Sequence, residues 1–228
     1  MASNKKLSEV QTLENYRVAL TNAVSQPEVA ATMAEFGYSA EEIAKGNKLL
    51  AQTTTAYESN KTEDNETVAA RAVLDEKIEK VSDQYSLDRK KGKVVYRNDE
   101  VMLKKLGLTG SIPQSYAKLI ATMKTFYNGV DSDTAAQEKL ARLKITPKEI
   151  KASIAAIKDL ENSRAEYLKE VGESQDATKA KDDAFAKIDD WMSEFFAVAK
   201  IAMEDNPQLL ESLGVLVRSK LTQLQAHW

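Results

Sequence analysis

Residues 33–43, MAEFGYSAEEI, return 107 positions later as residues 140–150, LARLKITPKEI. Three columns of this alignment are identical, and four more keep their chemical character. The same spacing recurs further on, where NDEVMLKKLGL at 98–108 aligns with DNPQLLESLGV at 205–215. A long internal repeat constrains the architecture of a chain more strongly than any local feature. The sequence therefore predicts two related units, one from about residue 13 to 108 and the other from about 116 to 215.

Apolar residues recur at helical spacing along nearly the whole chain, as Leu13, Tyr16 and Leu20 illustrate. Ser39 and Thr146 each precede a glutamate by three positions, which is the capping box that begins a helix. We expect each unit to contain a first helix, a short helix, two long antiparallel helices and a closing helix. Left-handed glycines are predicted to end helices at Gly37, Gly107, Gly129, Gly172 and Gly214. Polar segments at 59–65 and 172–175 are the predicted hairpin tips.

The predicted fold is all-α, a pseudo-two-fold bundle of two duplicated helical hairpins with four long helices and several shorter ones. One helical domain over residues 1–228 is favoured over an extended array of two modules, because a lone hairpin cannot bury its apolar face. The two hairpins are then expected to share a single core. Residues 217–228 are predicted to continue as an amphipathic helical tail.

Composition narrows the class of protein. Of the 228 residues, 43% are hydrophobic and 29% charged, and the formal net charge is −3, so no bulk attraction to nucleic acid or membrane is expected. Residues 1–6 are polar and no apolar run follows them, which favours a cytoplasmic protein. A secreted protein whose signal peptide has been removed is the alternative left open.

Catalytic chemistry has little support in the sequence. There is no cysteine, and the single histidine, His227, is next to the last residue. A di-metal bundle needs histidines on its core helices, and adjacent carboxylates such as Asp182 and Asp183 diverge around a helix. Gly107 and Gly110 are not followed by the lysine of a phosphate-binding loop. We therefore expect no cofactor, no metal and no enzymatic activity, although a Ser-Lys dyad is left open.

A run of cations is the one local charge anomaly. It comprises Arg89, Lys90, Lys91 and Lys93, with Arg97 close by. Such a run indicates either a docking site for an acidic partner or a solvated helix end whose lysines complement the helix dipole, and the second interpretation is favoured.

Aromatic residues supply a further hypothesis. If the hairpins pack face to face, Tyr85, Trp191 and Phe195 could line a ligand pocket, although aromatics at helical spacing more often form core. Leu224 and Trp228 in the tail could present an apolar stripe to another chain.

These observations favour a non-enzymatic helical bundle with a structural or protein-interaction role. A protein partner or self-association is expected, without nucleic acid, membrane or metal. The alternative is a small-molecule carrier with an apolar pocket between the two hairpins.

Overall fold

A computed structural model gives the fold and describes residues 7–215. Within that range the chain forms eight α-helices and no strand, so the all-α prediction is confirmed. The helices are α1 Glu9–Ser25, α2 Pro27–Glu35, α3 Ala40–Val95, α4 Glu100–Lys105, α5 Tyr116–Asp131, α6 Thr134–Ala141, α7 Pro147–Ala202 and α8 Leu209–Ser212. None of these described helices is long and apolar enough to cross a membrane.

The two predicted hairpins are wrong. Helices α3 and α7 each run without interruption for 56 residues, and the predicted tips at 59–65 and 172–175 lie inside them. The first segment is polar but contains neither glycine nor proline, and the Thr62 hydroxyl donates to the Glu58 carbonyl one turn back, at 3.1 Å. In the second segment, a single glycine costs a helix only about 1 kcal/mol. Polarity alone therefore did not mark a turn.

Two compact units divide the chain. Within the described range, unit 1 is assembled from residues 7–62 and 175–215, and unit 2 is the continuous segment 63–174. Each unit thus takes residues from both copies of the predicted sequence repeat. The predictions of a single domain over 1–228 and of repeat units at 13–108 and 116–215 stay predictions.

The two long helices pack against each other through small and polar side chains. In unit 1 the Thr53 hydroxyl donates to the Ala184 carbonyl at 3.2 Å, and the Asn60 amide donates to the Thr178 hydroxyl at 3.0 Å. In unit 2 the Thr67 hydroxyl donates to the Glu170 carbonyl at 3.1 Å. Positions of α3 that are buried or half-buried recur every seven residues: 46, 53, 60, 67, 74, 81 and 88. This period is that of a coiled coil, and because four of these side chains are Gly, Thr or Asn, hydropathy does not reveal it.

Each unit has its own apolar cluster. The cluster of unit 1 includes Leu20, Ile43 and Ile188, and that of unit 2 includes Leu74 and Ile157. All of these side chains are almost completely buried. The described residues thus form two clusters where the sequence predicted one shared core.

Helix starts follow the predicted signals. The Thr146 amide and hydroxyl donate to the Glu149 carboxylate at 2.7 and 3.0 Å, and the Glu149 amide donates back to the Thr146 hydroxyl at 3.3 Å. At the start of α3 only one half of the box forms, from the Glu42 amide to the Ser39 hydroxyl at 3.4 Å.

Predicted helix stops are confirmed only in part. Gly37, Gly107 and Gly214 have positive φ and end helices as predicted. Gly129 and Gly172 were predicted to end helices as well, but they lie within α5 and α7. Gly129 is instead a close-approach position, since a Cβ there would come within 2.9 Å of Leu106.

Candidate functional site

The run of cations does not form one surface. Arg89 is only 6% exposed, and its guanidinium Nη2 donates to the carbonyls of Leu108, Thr109 and Gly110 at 3.0, 2.9 and 2.9 Å. Arg89 therefore fixes the chain between α4 and α5. Lys91 is half-buried, and its Nζ lies 3.3 Å from the Asp88 carboxylate. Both side chains serve the fold of unit 2 rather than a partner surface.

A buried carboxylate organises the polar interior of unit 2. Asp88 is 2% exposed and accepts hydrogen bonds from the Gln84 amide at 2.9 Å, the Tyr127 hydroxyl at 3.0 Å and Lys91 Nζ at 3.3 Å. Three donors compensate the removal of this charge from water. No sequence pattern singles out Asp88, because its donors lie on two helices that only the fold brings together.

Tyr127 is held in its protonated form. Burial raises the pKa of the Tyr127 phenol, the Ser153 hydroxyl opposes that change, and the neighbouring Asp88 charge adds to it. The phenol is therefore a hydrogen-bond donor at neutral pH and cannot abstract a proton.

A cleft of about 390 Å³ lies beside this network in unit 2. Its apolar lining residues are Val73, Val81, Ala152 and Ala156, and its polar ones are Glu76, Lys77, Lys80, Gln84, Tyr127, Ser153 and Asp159. Lys77 is engaged, because its Nζ lies 2.7 Å from both the Asp159 carboxylate and the Ser163 hydroxyl. Cavities of roughly 300–1,000 Å³ with apolar walls and a few polar groups are typical small-molecule sites.

The predicted aromatic pocket is not assembled as one group. Tyr85 is fully buried in the unit 2 cluster and packs edge-on against Phe126 and Tyr127. Trp191 and Phe195 belong to the unit 1 cluster, where their rings stack with centroids 5.6 Å apart and an angle of 11° between the ring planes. The structure therefore brings Trp191 and Phe195 together, but Tyr85 lies in the other core.

Trp191 packs tightly against helix α3 in unit 1. A Cβ added at Gly46 would come within 2.5 Å of the Trp191 ring and 3.0 Å of Leu20, so the indole lies directly on the α3 backbone. Only glycine permits this approach.

Arg89 is buried and Lys91 is half-buried, and the other three cations of the run are exposed: Lys90, Lys93 and Arg97. Arg97 lines a second cleft of unit 2, of about 460 Å³, together with Lys139 and Arg142. Lys139 and Arg142 lie far along the chain from the run of cations, so no local pattern connects them with it. The tail residues Leu224 and Trp228 lie outside the described part of the chain.

A group of carboxylates also occurs in unit 2. One carboxylate oxygen each of Glu63, Glu66 and Glu170 lies within 4.8 Å of the others. Burial raises the pKa of Glu63, and the charge of Glu66 adds to the effect. Lys169 Nζ lies 3.3 Å from the Glu170 carboxylate, so a side chain of the protein provides positive charge beside this group of carboxylates.

No protein-family model, curated protein or solved structure matches this chain.

Proposed function

We propose that this protein is a non-enzymatic binding protein and that the cleft beside Tyr127 holds a small, largely apolar molecule with one polar group. The observation that carries this proposal is the composition of the cleft lining. Apolar walls stand beside the polar side chains of Gln84, Ser153 and Tyr127, and the walls are formed by Val73, Val81, Ala152 and Ala156. Apolar walls supply most of the affinity of such sites, and a few fixed polar groups orient the ligand.

The corresponding positions of unit 1 support the proposal. At the 107-residue spacing of the sequence repeat, three residues of unit 2 correspond to three residues of unit 1. Gln84 corresponds to Trp191, Ser153 to Gly46 and Tyr127 to Leu20. In unit 1 the indole of Trp191 packs tightly on Gly46 and fills this position. In unit 2 a shorter glutamine stands there and a cleft remains open. A position that is filled in one copy and open in the other suggests that unit 2 is the copy specialised for binding.

The polar groups around the cleft are suited to binding rather than to proton transfer. Asp88 already accepts three hydrogen bonds, and the raised pKa of Tyr127 keeps its phenol protonated. A general base needs a free acceptor within reach of its substrate, and these groups are occupied with each other.

Filling the cleft tests the proposal. We expect Ala156→Trp to weaken binding of the uncharged dye Nile red at least roughly 10-fold, since an indole occupies much of a cavity of this size. Ala155→Trp is the matched control, because Ala155 is the exposed neighbour on the same helix and does not line the cleft. Gln84→Trp with Ser153→Gly, which copies both the indole and the glycine of unit 1, should act like Ala156→Trp. Dye fluorescence titration gives the affinities, and circular dichroism verifies that each variant is folded.

Two results contradict a ligand site in this cleft. One is the absence of saturable dye binding by the unmodified protein. The other is equal binding by folded Ala155→Trp and Ala156→Trp variants.

A structural or protein-interaction role is the second candidate function. It is favoured by the cleft that Arg97, Lys139 and Arg142 line, since exposed cations beside apolar side chains form a surface that can bind an acidic partner. A pull-down in which neutral substitutions of Arg97 and Arg142 have no effect on any bound protein would contradict this role for the surface.

A further inference from the structure

We propose that this protein self-associates heterologously, with the basic surface of unit 2 in one copy binding the acidic surface of unit 1 in the next. The basic surface is defined by Val94, Arg97, Lys139, Arg142 and Leu143. The acidic surface is defined by Glu35, Phe36, Ile201, Glu204 and Asp205. This inference rests on the interaction role proposed above and names the partner as a second copy of the chain.

The basic surface combines positive charge with exposed apolar groups. Its five residues all line the cleft of about 460 Å³. Val94 is 57% exposed and Leu143 is 36% exposed. The one carboxylate in the lining, Asp99, is engaged as the cap of α4, where it accepts from the Met102 amide at 3.0 Å. None of the three cations forms an ion pair with the described residues.

The acidic surface lies at the corresponding positions of unit 1. At the 107-residue spacing of the repeat, both arginines of the basic surface correspond to glutamates, Arg97 to Glu204 and Arg142 to Glu35. Both apolar residues correspond to apolar residues, Val94 to Ile201 and Leu143 to Phe36. Phe36 is 47% exposed and Ile201 is 62% exposed. The apolar element is thus kept and the charge is reversed.

The two parts of the acidic surface are attached to one core. Met33 precedes Glu35 by two positions and Met203 lies between Ile201 and Glu204. Both methionines are almost completely buried in the apolar cluster of unit 1, so the end of α2 and the end of α7 each contribute a side chain to that cluster. No ion pair to Glu35, Glu204 or Asp205 occurs within residues 7–215.

The charges determine which surfaces can meet. Two basic surfaces repel each other, and so do two acidic ones, so a two-fold contact through either surface alone is disfavoured. A basic surface facing an acidic one pairs opposite charges and buries the exposed apolar side chains of both copies. Because this contact uses different surfaces on the two partners, it leaves one of each free and can continue to further copies.

Charge reversal provides the test. Sedimentation velocity of the full chain should show a mass that rises with protein concentration at low salt and falls when salt screens the charges. Arg97→Glu with Arg142→Glu makes both surfaces acidic, and Glu35→Arg with Glu204→Arg makes both basic. Each pair should weaken association at least roughly 10-fold, since like charges then face each other. Lys90→Glu with Lys118→Glu, two exposed positions off the surface, changes the net charge as much as the pair at Arg97 and Arg142 does and should have no effect.

Mixing the two reversed variants should restore association, because an acidic surface again meets a basic one. A wild-type mass that stays that of one chain at low salt overturns the proposal, as does association that survives both reversals. Loss of association only on deleting residues 216–228 overturns it as well and assigns the contact to the tail. Binding of poly-glutamate to a monomeric protein through Arg97 and Arg142 overturns self-association but keeps the interaction role.

Discussion

Lys144 has a left-handed backbone, with φ of 61°, in the turn between α6 and α7. The other described residues with positive φ are glycines, and Gly37 has this conformation 107 positions earlier. In both turns a backbone hydrogen bond returns to the end of the preceding helix, from Tyr38 to Met33 at 2.9 Å and from Ile145 to Leu140 at 3.2 Å. The left-handed conformation costs a residue with a Cβ roughly 1–2 kcal/mol, so Lys144 is strained where Gly37 is not.

Replacing Lys144 by glycine should therefore stabilise unit 2 by about 1 kcal/mol, measured by urea denaturation. Lys144→Ala is the control, because it removes the charge and keeps the strain. A Lys144→Gly variant no more stable than Lys144→Ala would show that the turn carries no such cost.

The start of α7 shows how a single element depends on pH. The amide and hydroxyl of Thr146 donate to Glu149, and these bonds lower the pKa of the carboxyl, with help from the charges of Lys91 and Lys144. A carboxyl whose pKa is lower in the folded state than in the unfolded state adds to the free energy of unfolding. This contribution is fully present above the pKa of the unfolded state, and it is lost as the pH falls through the pKa of the folded state.

The contribution of Glu149 should therefore be present at neutral pH and absent in acid. Glu149→Gln should destabilise the protein at about pH 7 and have a much smaller effect at about pH 3. Urea denaturation at both values measures the difference. Glu138→Gln, an exposed position on α6 without a described hydrogen bond, is the control. An equal effect of Glu149→Gln at the two pH values would contradict the role of the charged cap.

At the level of elements, the sequence predicted helix starts better than helix ends. Capping boxes and glycine stops depend on a few neighbouring residues, and most of them are where they were predicted. The hairpin tips depended on the polarity of residues 59–65, and there a partner helix decides the outcome. Asn60 and Thr67 are polar because they bond to α7 across the helix pair, which no local pattern reveals.

At the level of the whole molecule, the all-α class followed from periodicity, but the two cores did not. Each core combines residues that are distant in sequence, such as Leu20 with Ile188 and Leu74 with Ile157. The same limit applies to the cleft. Val81, Tyr127 and Ala156 lie on three helices, so the sequence offered aromatic residues as candidates but not the cavity beside Tyr127.

Unit 2 is continuous in the chain, whereas unit 1 needs residues from both ends. Closing a long loop costs entropy before its contacts form, and a chain emerges from the ribosome with its N-terminal part first. Unit 2 can thus complete its core while the segment from residue 175 onward is still being made, and α1 and α2 must wait for it. Pulse-labelled hydrogen exchange during refolding should show Leu74 and Ile157 protected before Leu20 and Ile188, and the reverse order would contradict this sequence of events. During synthesis, the N-terminal helices of this protein are then the part most in need of protection from other chains.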